Sequence, residues 1–352
     1  TISITGHALT DLTSPPARPE SLKRDWSRLL APYRKSSTGR SLFELALTAA
    51  IFIATWGVAW LAFKAGWWPV ALLLTLPAGV FLVRLFMIQH DCGHGSFFEA
   101  RAANDWVGRA IGVLTLTPYD YWRRTHAMHH ATSGNLDRRG LGVIEMLTVE
   151  EYLALPPLRR LGYRLYRHPL VMFGLGPAFV FLLQQRVPIG MMKEWRTWVS
   201  TLGNGLAAAA GIGLLIWLVG LTPVLVVNTL TLLIAATIGV WLFYVQHQFE
   251  GVSWARNGEW KRDEAALLGS SHYDLPQPLR WLTANIGIHH VHHLSARIPF
   301  YRLNDVLNDN PELKSVSRLG LRESFACVRL ALWDEAGQRL VSFRELRKRR
   351  AA

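Results

Sequence analysis

Between Thr197 and Phe249 the chain runs for 53 residues without one Asp, Glu, Lys or Arg. A water-soluble globule cannot hide such a run, and a disordered chain does not contain one. The composition agrees: of 352 residues, 50% are hydrophobic and 18% charged, against about 25% charged in soluble domains. A soluble enzyme, a disordered protein and a disulfide scaffold are excluded. Two cysteines, Cys92 and Cys327, are too few for a disulfide framework and fit a reducing compartment.

About twenty helical residues, rising ~1.5 Å each, cross a hydrocarbon core ~30 Å thick. Leu45 to Phe63 is uncharged and follows Glu44. Lys64-Ala65-Gly66 then reads as a turn, with Trp67 and Trp68 placed for an interfacial aromatic belt. A second apolar run starts there and passes through Arg84 to Ile88. The long uncharged run breaks at Gly220-Leu221-Thr222-Pro223 into two more. The expected fold is an all-α polytopic membrane protein. Its four transmembrane helices form two hairpins, near residues 45–63, 68–88, 202–219 and 224–245, with a cytoplasmic helical cap that carries the histidine clusters described below. Trp106 to Pro118 is too short to span and carries Arg109, so it reads as interfacial. Pro169 to Gln185 is of borderline length.

Of the 38 Lys and Arg residues, 36 lie before the first span, between residues 94 and 201, or after residue 246. The positive-inside rule then places both termini and the middle segment in the cytoplasm, most simply beneath a bacterial inner membrane. The net charge of +13 is accounted for by that signature and by anionic headgroups, so nucleic acid is not an expected partner. Residues 1–40 are read as a cytoplasmic arm, flexible through residue 22 with Pro15, Pro16 and Pro19. Residues 41–305 form the membrane domain, and 306–352 a basic cytoplasmic segment.

Thirteen histidines occur, and ten fall in clusters or at a span end. His90 and His94 are four apart; His126, His129 and His130 follow an i, i+3, i+4 pattern, as do His289, His292 and His293. His247 follows the fourth span. On a helix these spacings stack imidazoles on one face, the arrangement a chelating helix needs for iron, zinc or copper. One such pair is an ordinary polar helix surface; three clusters in one membrane protein are not. All of them can meet only if an even number of crossings separates them. Pro169 to Gln185 must therefore lie in the interface or re-enter.

The boxes HDCGH, HAMHH and HHVHH resemble those of the integral-membrane fatty acid desaturases. The flanking "HDCGHGSFF", "PYDYWRRTHAMHHATSGNLDRRG" and "HHLSARIPFYRL" resemble the acyl-lipid Δ12 (omega-6) branch. The resemblance spans roughly residues 40–305. It implies two iron ions held by His90, His94, His126, His129, His130, His289, His292 and His293. His247, in "YVQHQFE", occupies the place of a further ligand at the end of the fourth span. His290 points off the His289/His293 face and reads as structural or supporting. Ligating imidazoles need their second nitrogen oriented, and Asp91, Glu99, Asp105, Asp120, Asp137, Glu250 and Asp274 are candidates. Arg123 and Arg124 could meet a headgroup or an acidic electron donor, or simply mark the membrane surface.

The reaction so implied is O₂-dependent desaturation of a fatty acyl chain entering from lipid, with O₂ as co-substrate. The Glu-x-x-His pattern of soluble di-iron bundles is absent. His168-Pro169 continues as Leu170-Val171 and not as the HPGG of a fused cytochrome domain, so electrons are expected from a separate protein, a ferredoxin first of all. Residues such as Trp56 or Gly79 could line an acyl tunnel, though packing or lipid contact is their ordinary role. The same ligands would serve a hydroxylase or ketolase of alkane, carotenoid or sterol. A metal transporter is the rival of another class, but its ionisable groups would sit near the bilayer midplane, where these spans have almost none.

Overall fold

The computed structural model describes residues 24–351. The expected flexible arm, with its three prolines, therefore lies outside the described residues. What is described of the segment before the first span is ordered: Asp25 caps a short helix Trp26–Leu29, and the Trp26 and Leu30 side chains are buried.

Among the described residues four helices are long and apolar enough to cross a membrane: Thr38–Lys64, Trp68–His94, Trp195–Val219 and Leu221–His247. Each runs past its apolar window into polar sequence. Backbone hydrogen bonding continues wherever the next residue tolerates helix, and hydropathy does not end it. Ser37 caps the first helix, accepting from the Arg40 N–H. The second carries both histidines of the first box and stops at once, because Gly95 turns left-handed at φ 67°. The second helix is the central one, with 61% of its apolar window buried, against 17%, 6% and 33% for the first, third and fourth. Gly79 lets the fourth helix come close, since a Cβ there would sit 2.6 Å from Ile234 Cγ2. Asn228 accepts from the indole N–H of Trp56 at 2.9 Å and of Trp60 at 3.2 Å, joining the fourth helix to the first. Trp56 and Gly79 are thus packing residues.

The borderline stretch becomes a broken element. Pro157–Tyr166 and Val171–Arg186 meet at 60°, and the second piece contains two π-helical turns around Gly176-Pro177. It would add a fifth span only if it crossed with its neighbour as one. The convergence of second-box and third-box histidines at one end of the bundle requires an even number of crossings between them, which the third and fourth helices already supply.

Among the described residues five short strands add two small sheets that residue alternation does not announce. His272–Asp274 pairs parallel with Arg318–Gly320; Leu147–Thr148 pairs parallel with Leu332–Asp334, which forms a hairpin with Arg339–Val341. The sheets bind the C-terminal residues to the body, and Leu332 and Trp333 are fully buried. The basic end is a helix, Phe343–Ala351, anchored by buried Leu346 and by Arg349, which pairs with Asp334 and Glu345.

Candidate metal centre

Two elements besides the spans carry histidines inward, and two of the spans add theirs. Tyr119–Thr132 brings His126, His129 and His130; His289–Leu294 brings His289, His292 and His293; the ends of the second and fourth spans bring His90, His94 and His247. All nine fall into two groups whose ligand atoms lie within 4.8 Å of one another: His90, His94, His126, His130 and His292 in one, and His129, His247, His289 and His293 in the other. The groups adjoin where the His130 and His293 rings stack, centroids 4.1 Å apart.

The Nε2 atoms face each other. In the five-membered group, neighbours are 3.0 to 3.3 Å apart from His90 through His94, His126 and His130 to His292. In the four-membered group, His129 and His289 both sit 3.1 Å from His247, and His293 is 3.1 Å from His289. Hydrogen bonds alone do not satisfy this arrangement. A neutral imidazole carries one N–H; that of His247 donates from Nδ1 to the Gly269 carbonyl at 3.1 Å, leaving its Nε2 a bare lone pair. The Nδ1 atoms of His129 and His289 are buried without a partner. A cation among the Nε2 atoms resolves the conflict. Metal–nitrogen bonds of about 2.0–2.1 Å at 90–109° separate adjacent ligands by about 2.9–3.4 Å, which is the spacing seen.

Burial, reinforced by crowding from neighbouring histidines, holds the pKa values of His126, His129, His130, His289, His292 and His293 well below the usual histidine value. These rings are neutral and have lone pairs to give, as ligands must. His290 stands apart: its Nε2 donates to the Leu313 carbonyl at 2.9 Å, and its ring leans on His272. The two contacts tie the third box to chain on either side of it.

Of the seven candidate orienting carboxylates, only Asp91 hydrogen-bonds a box histidine among the described residues. Its Oδ1 is 3.3 Å from His90 Nδ1, and its Oδ2 accepts the Phe300 N–H at 2.7 Å. Arginines take up four others: Asp105 meets Arg123, Asp120 meets Arg109, Asp137 meets Arg256, and Asp274 meets Arg280 and Arg318. Glu99 and Glu250 are exposed. Arg123 and Arg124 are likewise engaged, the latter with Glu194.

Hydropathy and box spacing do not reveal the cavity beside the histidines. It measures about 1000 Å³ and reaches His90, His126 and His289. Its walls are Leu82 and Met87 of the second span, Leu232, Gly239 and Phe243 of the fourth, and Phe179 of the broken element. This is the upper end of ordinary ligand pockets, about 300–1,000 Å³, and its lining is mostly apolar.

Residues 65–315 match the family model for fatty acid desaturases. A "Fatty acid desaturase" of Bacillus subtilis (strain 168) is 41% identical over 326 residues, covering 92% of each chain. The chain belongs to the fatty acid desaturase family. More distant relatives of this desaturase include the "sn-1 acyl-lipid omega-3 desaturase (ferredoxin)" of Synechocystis, 27% identical over 76% of this chain and 72% of its own. The "sn-1 oleoyl-lipid 12-desaturase" of the same organism is 26% identical over 64% of each chain. The desaturase is a membrane oxidoreductase whose buried histidines can hold metal.

Proposed function

We propose that this desaturase holds two iron ions, one in each histidine group, and uses O₂ to place a cis double bond in a fatty acyl chain lying in the apolar cavity. The observation that carries the proposal is the meeting of nine inward Nε2 atoms with the end of that cavity. Iron bound there would supply O₂ activation and hydrogen removal; two hydrogens of the acyl chain, two electrons from a donor and two protons from water together reduce O₂ to two waters.

The chain's own residues supply placement and dryness. Neutral imidazoles leave lone pairs free for the metals, and Asp91 fixes the first box against the segment after the third. Trp122 stacks on His126, centroids 4.7 Å apart, and also lines the cavity, walling one side beside the first group. Leu82, Met87 and Phe243 exclude water and confine the methylenes that face the histidines. The acyl group enters from the bilayer and is carried on lipid, a reading supported by the names of the more distant relatives. A separate protein, a ferredoxin, brings the electrons. The site and both termini lie on the cytoplasmic side of a bacterial inner membrane, a reading supported by the distribution of basic residues.

Expression in a host without polyunsaturated lipids, followed by mass spectrometry of its fatty acids, tests the activity. A new unsaturated product is expected, and His129→Ala should reduce it to background while lowering bound iron. Hydroxylated products without new double bonds would make the chain a hydroxylase. Unchanged lipids with metal accumulation would make it a transporter.

A further inference from the structure

Two charged side chains lie buried between the first two spans, where charge is costly and rarely without purpose. Arg84 of the second span and Glu44 of the first are 1% and 2% exposed, and Arg84 Nη2 meets Glu44 Oε2 at 2.6 Å. Arg84 Nε also donates to Thr48 at 3.2 Å, and Glu44 takes a second arginine, Arg40, at its other oxygen. The pair is not closed on itself. The Arg84 guanidinium lies 4.4 Å from the Trp281 ring and 5.3 Å from the Phe300 ring, and it donates to the Trp281 carbonyl.

Those two aromatics flank the third histidine box: Trp281 precedes His289 by eight residues, and Phe300 follows His293 by seven. Arg84 itself precedes His90 by six residues on the same helix, about 9 Å along it. One guanidinium therefore holds both shoulders of the third box against the helix that bears the first. We propose that Arg84 is a positioning residue, held by Glu44, that sets the register between the first and third boxes and so assembles the five-histidine group. His90 and His94 come to that group from the second span and His292 from the third box. The four-histidine group takes nothing from the second span, since His129, His247, His289 and His293 lie on other elements. Loosening the clasp separates ligands in the first group and leaves the second intact.

This rests on the reading that each group holds one metal, so the test begins with the unaltered protein. Purified in detergent and loaded with Fe²⁺ under anaerobic conditions, it should bind two ions per chain; failure here sinks the metal reading and not the clasp alone. The paired substitution Glu44→Leu with Arg84→Met replaces a buried ion pair by apolar side chains of similar size, a change that is often neutral for stability. Thermal unfolding should stay close to that of the parent, while bound iron falls from two ions to one and product formation drops at least 10-fold. Arg84→Lys keeps the charge beside Glu44 but lacks the planar fork that stacks and bonds at once. It should show the same loss of one ion, and it decides the matter if the paired variant does not fold. Two ions and full activity in a folded variant would overturn the proposal, as would loss of both ions together.

Discussion

A carboxylate wedged between two histidine boxes must satisfy both of its oxygens, and Asp91 does so with one partner from each side. His90 Nδ1 meets Oδ1, and the Phe300 N–H meets Oδ2 at 2.7 Å. An outer carboxylate of this kind fixes which ring nitrogen carries the proton and which faces the metal. Asp91→Ala should weaken metal binding about 10- to 100-fold, measured by competition with a chelator of known affinity. Unchanged affinity would show that the ring is oriented by packing alone. Spacing on a helix was enough to indicate which histidines converge, and also that His290 does not share their face. It could not indicate which of seven carboxylates would reach them. That depends on arginines far away in sequence, such as Arg256 for Asp137, 119 residues on.

At the scale of elements, the four long helices are legible because bilayer thickness sets their length and apolar character. The strands are not: at two or three residues each, they are too short for any alternation to register. Nor is the work of the broken element legible. Its sequence shows an apolar stretch of awkward length, whereas folded it lines the cavity together with the second and fourth spans. Glu44 and Arg84 read separately as charges at span ends, and only the pairing of helices makes them a clasp. The cavity itself permits a direct check. A Cβ added at Gly239 meets nothing within 4 Å, and Gly239 lines the cavity. Gly239→Leu should therefore fill space meant for methylenes without straining the helix. Product yield should fall at least 10-fold, or shift to shorter acyl chains, with metal content unchanged. Unchanged yield and chain profile would place the acyl chain elsewhere.

For the molecule as a whole, the concentration of neutral histidines in one buried place makes stability depend on pH. Burial pushes the pKa values of His126, His129, His130, His289, His292 and His293 well below 6.5, and that of His290 to about 3. The unfolded chain takes up protons at these rings as pH falls through about 6.5, and the folded chain does not. Stability then rises with pH across that window, since the unfolded state binds more protons. Each histidine that charges only on unfolding contributes about 1.4 kcal/mol per pH unit. Four arginine-paired carboxylates outside the spans do not confuse the window. Asp137, Glu151, Asp274 and Asp334, held below their ordinary values of 3.8 to 4.5 by arginines and backbone N–H groups, remain charged above about pH 5. Bound metal competes with the same protons at the same nitrogens, so acidification should also release it. Thermal unfolding of the full chain in detergent should be level from pH 8 to about 7 and decline steadily from about 6.5 to 5. The metal-free protein should show the same sign of dependence. A midpoint that stays flat or rises on acidification would mean that the folded protein accepts protons at these rings, which a site built to give lone pairs to metal cannot do.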